Sequence, residues 1–236
     1  MLSFKRDHPD ADYRDVKRVA NHHDRESPVL FSRDEDVYLA DIDDVQRRQD
    51  EVVRGAFDGV LEGGETVVAL GCGWGYNLGV LAAAYPETRF VGGEPTENGV
   101  ALARELFADH DRVRVEPFDF FDDRWRLLEQ VDGRVVLFTR GSLTALPTAE
   151  PVVSETLPEH LDRVTAGVHL EHVYELHPGE TLLGLLRREY TRLRDYNTDL
   201  LSALEETPAL DVTTVTYDVA GGNPLHPLSE VHWEPT

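Results

Sequence analysis

Residues 67–77 read V-V-A-L-G-C-G-W-G-Y-N. An apolar run of strand length meets three alternating glycines, Gly71, Gly73 and Gly75, and a helical pattern follows at once. Glycine takes positive φ without steric penalty and lets a ligand approach the backbone. The helix start leaves N–H groups without intrahelical partners. In open α/β sheets a turn of this kind, outside the strand carboxyl ends, is where nucleotides sit. A Walker loop needs G-x-x-x-x-G-K-[ST], and the absence of a lysine here excludes it. A dinucleotide loop reads G-x-G-x-x-G. Here the third glycine follows two residues after the second, giving G-x-G-x-G.

The flanking pattern predicts the sheet that such a turn requires. Strands are expected over 66–70, 89–93, 112–116, 134–139 and 166–174. Helices are expected over about 77–85, 97–108, 123–129 and 149–161. Strands alternating with helices imply a parallel sheet covered on both faces. A long amphipathic helix is expected over 180–206. Two closing strands, 210–219 and 228–233, have only a short Gly-Asn-Pro loop between them and read as an antiparallel hairpin. The fold class is therefore α/β, a doubly wound, mostly parallel seven-stranded sheet with a C-terminal antiparallel hairpin. Residues 1–60 read as an N-terminal helical extension, with helices near 13–23 and 41–60. Asp41 is a candidate cap for the second helix, and Gly63-Gly64 ends it. Residues 61–236 form the main domain.

With the G-x-G-x-G turn on a buried strand, the chain resembles the class I S-adenosylmethionine-dependent methyltransferases, over roughly residues 42–236. The resemblance implies S-adenosyl-L-methionine as cofactor. It implies contact through Gly71, Cys72, Gly73 and Gly75. Glu94 ends the second strand in F-V-G-G-E-P, where the family places an acid that accepts from both ribose hydroxyls. A carboxylate suits two adjacent donors, because both its oxygens accept. Asp119 and Phe120, in V-E-P-F-D-F-F, match the family's acid and apolar neighbour at the adenine. The run V-V-L-F-T-R-G-S-L resembles the fourth motif, so Thr139 falls where that motif borders the methionine end. Two departures stand out. Ala69 replaces the acid common two residues before the first glycine. Thr144 and Ala145 stand where many relatives carry a His pair.

Charge constrains the setting. The formal net charge is −22, and of the 23 basic residues only Lys5 and Lys17 are lysines. Such a composition points to a haloarchaeal-like, halophilic protein in a cytoplasm at molar salt, where the Debye length is about 3 Å and self-repulsion is screened. A merely acidic mesophilic protein is the alternative. No basic stripe is present to track a phosphate backbone, so nucleic acid is not an expected partner. No apolar run approaches the ~20 residues of a membrane span. The N-terminus lacks the apolar segment of a secretory signal. The lone Cys72 forms no internal disulfide, in keeping with a reduced, cytoplasmic location. No metal-ligand spacing appears, and none is expected for attack on a sulfonium. Oligomeric state is open.

The expected acceptor is a small molecule, such as a hydroxyl of a sugar or other metabolite. Candidate general bases lie on the fifth strand, V-H-L-E-H-V-Y-E-L. Alternation puts His169 and Glu171 on one face and His172 on the other, with Glu171 and His172 near the carboxyl end. Tyr196, Asn197, Asn223 and His226 are candidate acceptor-pocket residues. His22 and His23 are further candidates if the N-terminal helices form a lid. Rival readings are a small-molecule N-methyltransferase, a non-catalytic S-adenosylmethionine-binding protein and a nicotinamide oxidoreductase.

Overall fold

The computed structural model describes residues 1–21, 28–122 and 125–236. His22, His23 and Asp123 lie outside the described residues. The chain opens with α1 (Leu2–Asp7), α2 (Tyr13–Ala20), a hairpin of β1 (Val29–Arg33) and β2 (Asp36–Ala40), and α3 (Ile42–Gly55). The main sheet follows: β3 (Thr66–Leu70), α4 (Tyr76–Ala84), β4 (Arg89–Glu94), α5 (Glu97–Leu106), β5 (Val113–Pro117), α6 (Arg126–Glu129), β6 (Val135–Arg140) and β7 (Val164–Glu171). Helices α7 (Leu182–Leu193) and α8 (Leu200–Glu206) lead to β8 (Leu210–Ala220) and β9 (Leu228–Pro235).

The seven strands run in the order β5-β4-β3-β6-β7-β9-β8. Strands β3 to β7 are parallel, β9 pairs antiparallel with β7, and β8 pairs antiparallel with β9. The expected sheet and terminal hairpin are therefore present. The order reverses between β3 and β6, and in open α/β sheets ligands bind outside the strand carboxyl ends at such a point. Every residue of β3 is buried. Val68 and Leu70 pack on one face with Leu137, Trp125 and Trp233, while Val67 and Ala69 pack on the other with Phe57, Leu81 and Phe138. Gly167 makes room for Trp233, since a Cβ there would lie 2.2 Å from the indole.

Three sequence expectations change. The helix expected over 180–206 is broken at Asp195, which sits at φ 52°. Asn197 causes the break: its backbone N–H donates to the Thr144 carbonyl at 3.2 Å and its side chain to the Leu143 carbonyl at 2.6 Å. The expected helix over 149–161 is a π-helical turn, Pro151–Thr156, followed by a 3-10 turn, Leu157–His160. The second N-terminal helix ends at Gly55, not at Gly63-Gly64, and Asp41 makes no side-chain cap. The N-terminal extension also contains the β1–β2 hairpin. Its turn residues Asp34 and Glu35 both take positive φ, 52° and 67°, as a tight two-residue turn needs, without the Gly or Asn that signals one.

Candidate functional site

The glycine loop leaves β3 at the switch point. Gly71, Gly73 and Gly75 all have positive φ, 71°, 59° and 85°. At Gly71 a Cβ would also lie 2.4 Å from the Ser142 Cβ, so the loop after β6 closes directly on the loop after β3. The Ser142 hydroxyl donates to the Leu70 carbonyl at 2.7 Å. Gly75 caps α4 in the left-handed conformation. The Cys72 backbone N–H donates to the Gly93 carbonyl at 2.9 Å. Its thiol is pushed up by burial and then by Glu94, so it stays protonated.

Glu94 ends β4 and reaches the loop: its Oε2 accepts from the Gly73 N–H at 2.9 Å. Its Oε1 accepts from the Thr96 N–H at 3.1 Å and hydroxyl at 2.5 Å. A carboxylate has about four acceptor positions, so Oε2 keeps one for a ligand. Asp119 lies just beyond β5 and is exposed, with Oδ1 accepting from the Phe121 N–H at 3.0 Å. Phe120 is buried against Phe118, ring centroids 5.0 Å apart, with its edge toward Gly71. The expected cofactor residues from β3, β4 and β5 thus line one end of the sheet.

Thr139 points elsewhere. Its side chain is buried, with Oγ1 2.8 Å from His169 Nδ1. Trp233 Nε1 donates to His169 Nε2 at 2.7 Å. An indole N–H can only donate, so neutral His169 carries its proton on Nδ1 and donates to Thr139. Burial lowers His169 to about 3. The next residue, Arg140, lies on the opposite face by strand alternation.

Glu171 and His172 are both wholly buried. Glu171 Oε1 accepts from the Ser142 and Leu143 N–H groups at 3.1 and 3.3 Å. Its Oε2 accepts from the Thr144 N–H at 3.0 Å and hydroxyl at 2.6 Å. Four donors saturate the carboxylate and fix the loop after β6. His172 Nε2 lies 2.7 Å from Thr191 Oγ1 and 3.2 Å from His177 Nε2. Burial, then His226 and His177, lowers it to about 2.

Beyond His172 lies a cluster of aromatic rings. His226, in the loop between β8 and β9, lies 4.6 Å from the His172 ring and 5.3 Å from Tyr196. Its Nε2 is buried without a hydrogen-bond partner. Burial, then Arg194 and Arg140, lowers it to about 4. Asn197 is a buried tether. Asn223 makes a turn, its Oδ1 accepting from the Leu225 N–H at 3.0 Å. For Trp74 and Tyr76 the sequence leaves two places open, the cofactor cleft and the underside of the N-terminal helices. Tyr76 takes the second: its ring lies 5.7 Å from Tyr13, and its hydroxyl donates to Asp50 at 2.9 Å.

No family model and no curated protein sequence matches the chain. Solved structures do share its fold. A mitomycin 7-O-methyltransferase superposes with a TM-score of 0.58 at 17% identity, over 83% of this chain and 55% of that one. The chain thus spans about half the length of that protein. Magnesium protoporphyrin IX methyltransferase from Synechocystis PCC 6803, with bound SAH, gives 0.55 at 15% identity, over 82% and 86% of the two chains. Geranyl diphosphate C-methyltransferase from Streptomyces coelicolor A3(2), in complex with Mg2+, geranyl diphosphate and S-adenosyl-L-homocysteine, gives 0.55 at 11% identity, over 83% and 82%. Among the described residues no helix is long and apolar enough to cross a membrane, and no group of three His, Cys, Asp or Glu side chains is arranged to hold a metal ion.

Proposed function

We propose that the protein transfers a methyl group from S-adenosylmethionine to a small-molecule acceptor, at a hydroxyl of a sugar or related metabolite. One observation carries this reading: Glu94, at the end of the strand beside β3, meets the glycine loop through Gly73 and retains a free acceptor position. The neighbours named above, all methyltransferases of small molecules, two with the demethylated cofactor in place, support it. The residues present fit the cofactor. Glu94 would accept from the ribose and the exposed Asp119 from the adenine amino group, and the loop after Leu70 would face the amino-acid end. When bound, the cofactor supplies a methyl group on a sulfonium, which transfers by in-line displacement without a metal.

The two residues expected as proton acceptors are assigned to positioning. Glu171 holds the loop at 141–145 against the glycine loop, and its four donors leave no acceptor position for a substrate proton. His172 is spent on Thr191 and His177. The free Nε2 of His226 is the group that accepts a hydrogen bond from an acceptor hydroxyl, orients it, and takes its proton as the oxygen gains the methyl group and the sulfonium becomes a neutral thioether. Helix α2 lies over the start of α4 and forms part of a cover that excludes water from the cleft.

Isothermal titration with S-adenosylmethionine in molar KCl tests this reading. Wild-type protein should bind, and Glu94→Ala should lose about 10- to 100-fold, the range for deleting one or two hydrogen bonds to a charged group. Binding of NADH in place of S-adenosylmethionine would favour the oxidoreductase alternative. Binding without turnover on any hydroxyl panel would leave the non-catalytic one.

A further inference from the structure

The hairpin of β1 and β2 forms a two-stranded sheet of its own. It is held from one side. Ser32 exchanges both backbone hydrogen bonds with Gly221 at 2.8 Å, and Asp218 accepts from the Asp34 N–H at 2.9 Å and the Glu35 N–H at 3.0 Å. The other side, β2, reads D-V-Y-L-A and is exposed from Asp36 to Leu39. Register fixes which of its backbone groups face outward. The two-residue turn makes Arg33–Asp36 a hydrogen-bonded pair, and such pairs alternate along an antiparallel ladder. Ser32–Val37 and Leu30–Leu39 are therefore the non-bonded pairs, in keeping with the bonds of Ser32 to Gly221. The N–H and C=O groups of Val37 and Leu39 thus point away from β1, and among the described residues none receives them. An open edge invites pairing, and proteins blunt it with charge, proline or a bulge. The main sheet does so at both ends: β5 carries Arg114, Glu116 and Pro117, and β8 has register shifts at Val212/Thr214 and Thr216/Ala220. Strand β2 has no lysine, proline or bulge, and its one charge, Asp36, stands at its end. A two-stranded sheet is also marginal in water without further strands.

We propose that β2 pairs antiparallel with β2 of a second copy of this chain, about a two-fold axis at Tyr38. The outward groups dictate that register. Val37 and Leu39 stand one residue either side of Tyr38, so the axis sets Val37 opposite Leu39 of the second copy. Each of the two such pairs exchanges both backbone hydrogen bonds. The faces match as well. Leu30, Val37 and Leu39 lie on one face of the hairpin, 53%, 44% and 70% exposed. Pairing joins this row to its copy on one face of a four-stranded sheet, where cross-strand apolar pairs stabilise it. Asp36 falls opposite Ala40 of the second copy, so the acids of the two strands do not meet. A foreign strand could use the same backbone groups, but an edge symmetric about one residue is complementary to itself. The edge is only five residues long. It buries less than the roughly 800 Å² per partner of a standard interface, so the dimer is reversible. A charge of −22 on each chain opposes it in dilute buffer. Salt screens that repulsion, so association strengthens as salt rises, the reverse of an interface held by ion pairs.

Sedimentation equilibrium of the full chain tests this, over the range of KCl in which circular dichroism shows it folded. Wild-type protein should pass reversibly from one chain to two as concentration rises, and more readily at higher salt. Leu39→Lys, at an exposed position, should weaken the dimer at least tenfold and leave the melting temperature unchanged. Leu39→Pro removes an outward N–H that the single chain does not use, and should abolish the dimer. Two cysteine variants read the register. Tyr38 meets its own copy across the axis as a non-bonded pair, whose Cα separation of about 4.5 Å lies within disulfide reach. Val37 is as exposed, 44% against 48% for Tyr38, but meets its own copy only on the diagonal, beyond that reach. Mild oxidation should therefore cross-link Tyr38→Cys and not Val37→Cys, with Cys72 common to both. A single chain at every concentration and salt would overturn the proposal. So would a dimer indifferent to both Leu39 variants, a dimer that dissolves as salt rises, or equal cross-linking of the two cysteine variants. Should Leu39→Pro not fold, Leu39→Lys and the cysteine variants still decide.

Discussion

Arg187 Nη2 lies 2.8 Å from Asp218 Oδ2, and both side chains are buried. The pair joins α7 to β8, and its remaining hydrogen bonds extend the tie. Asp218 also accepts from the Ser32 hydroxyl at 2.9 Å and the Glu35 N–H at 3.0 Å. Arg187 also donates to the Pro224 carbonyl and the Tyr217 hydroxyl, both at or under 2.8 Å. One ion pair thus anchors the N-terminal hairpin and the loop that carries His226.

Breaking one side of such a pair leaves a buried charge alone. Asp218→Asn should cost about 3 kcal/mol of stability, and Arg187→Met a similar amount. The double variant should cost clearly less than the sum, because it removes both charges. Urea unfolding of the four proteins measures the coupling. Simple additivity would mean that the pair contributes nothing as a pair.

Glu171→Gln separates anchoring from proton transfer. An amide turned toward four donors leaves at least one unpaired, at a cost of about 1–3 kcal/mol. Stability should fall, and methyl transfer should fall with it as the loop at 141–145 loosens. The shape of the pH–rate profile should not change. Loss of one limb of that profile would restore Glu171 as the general base.

The sheet was legible in the sequence because each parallel strand is a short apolar run bounded by glycine or charge, and β3 matches its expected bounds residue for residue. Glu94 ends β4 and Asp119 follows β5, as the sequence predicts, while their contact with the cofactor belongs to the proposal. What was not legible depends on partners distant in sequence. The break at Asp195 is made by Asn197 reaching Leu143 and Thr144. The hairpin of β1 and β2 has an Asp-Glu turn and is held by Asp218, far along the chain. Thr139, which the motif singled out, is taken up instead by His169, a partner thirty residues along the chain.

The glycine loop offers a comparison within three residues. Gly71 and Gly73 both have positive φ, but only Gly71 has a neighbour where a Cβ would stand. Gly73→Ala should cost about 1–2 kcal/mol, the left-handed penalty for an L-residue. Gly71→Ala should cost more, and should also weaken cofactor binding, since Ser142 and the loop after β6 must move. Thermal melting and titration with S-adenosylhomocysteine test both. Equal losses at the two positions would refute the close approach of the two loops.

His169 makes stability depend on pH in a definite direction. Its ring is neutral in the fold, lowered by burial from 6.5 to about 3, while in the unfolded chain it keeps the ordinary value. Above pH 6.5 neither state binds the proton, and stability is full. As pH falls from 6.5 toward 3 only the unfolded chain gains it, so stability drops by about 1.4 kcal/mol per pH unit. His172 and His177, lowered to about 2 and about 3, act in the same sense. Urea unfolding in molar KCl at a series of pH values from 7.5 to 5.5 should therefore show a decline. His169→Gln keeps an acceptor for the Trp233 indole but cannot titrate, so its curve should be shallower by close to one proton. Parallel curves for the two proteins would mean that His169 is protonated in the fold, and the Trp233–His169–Thr139 chain would have to be redrawn.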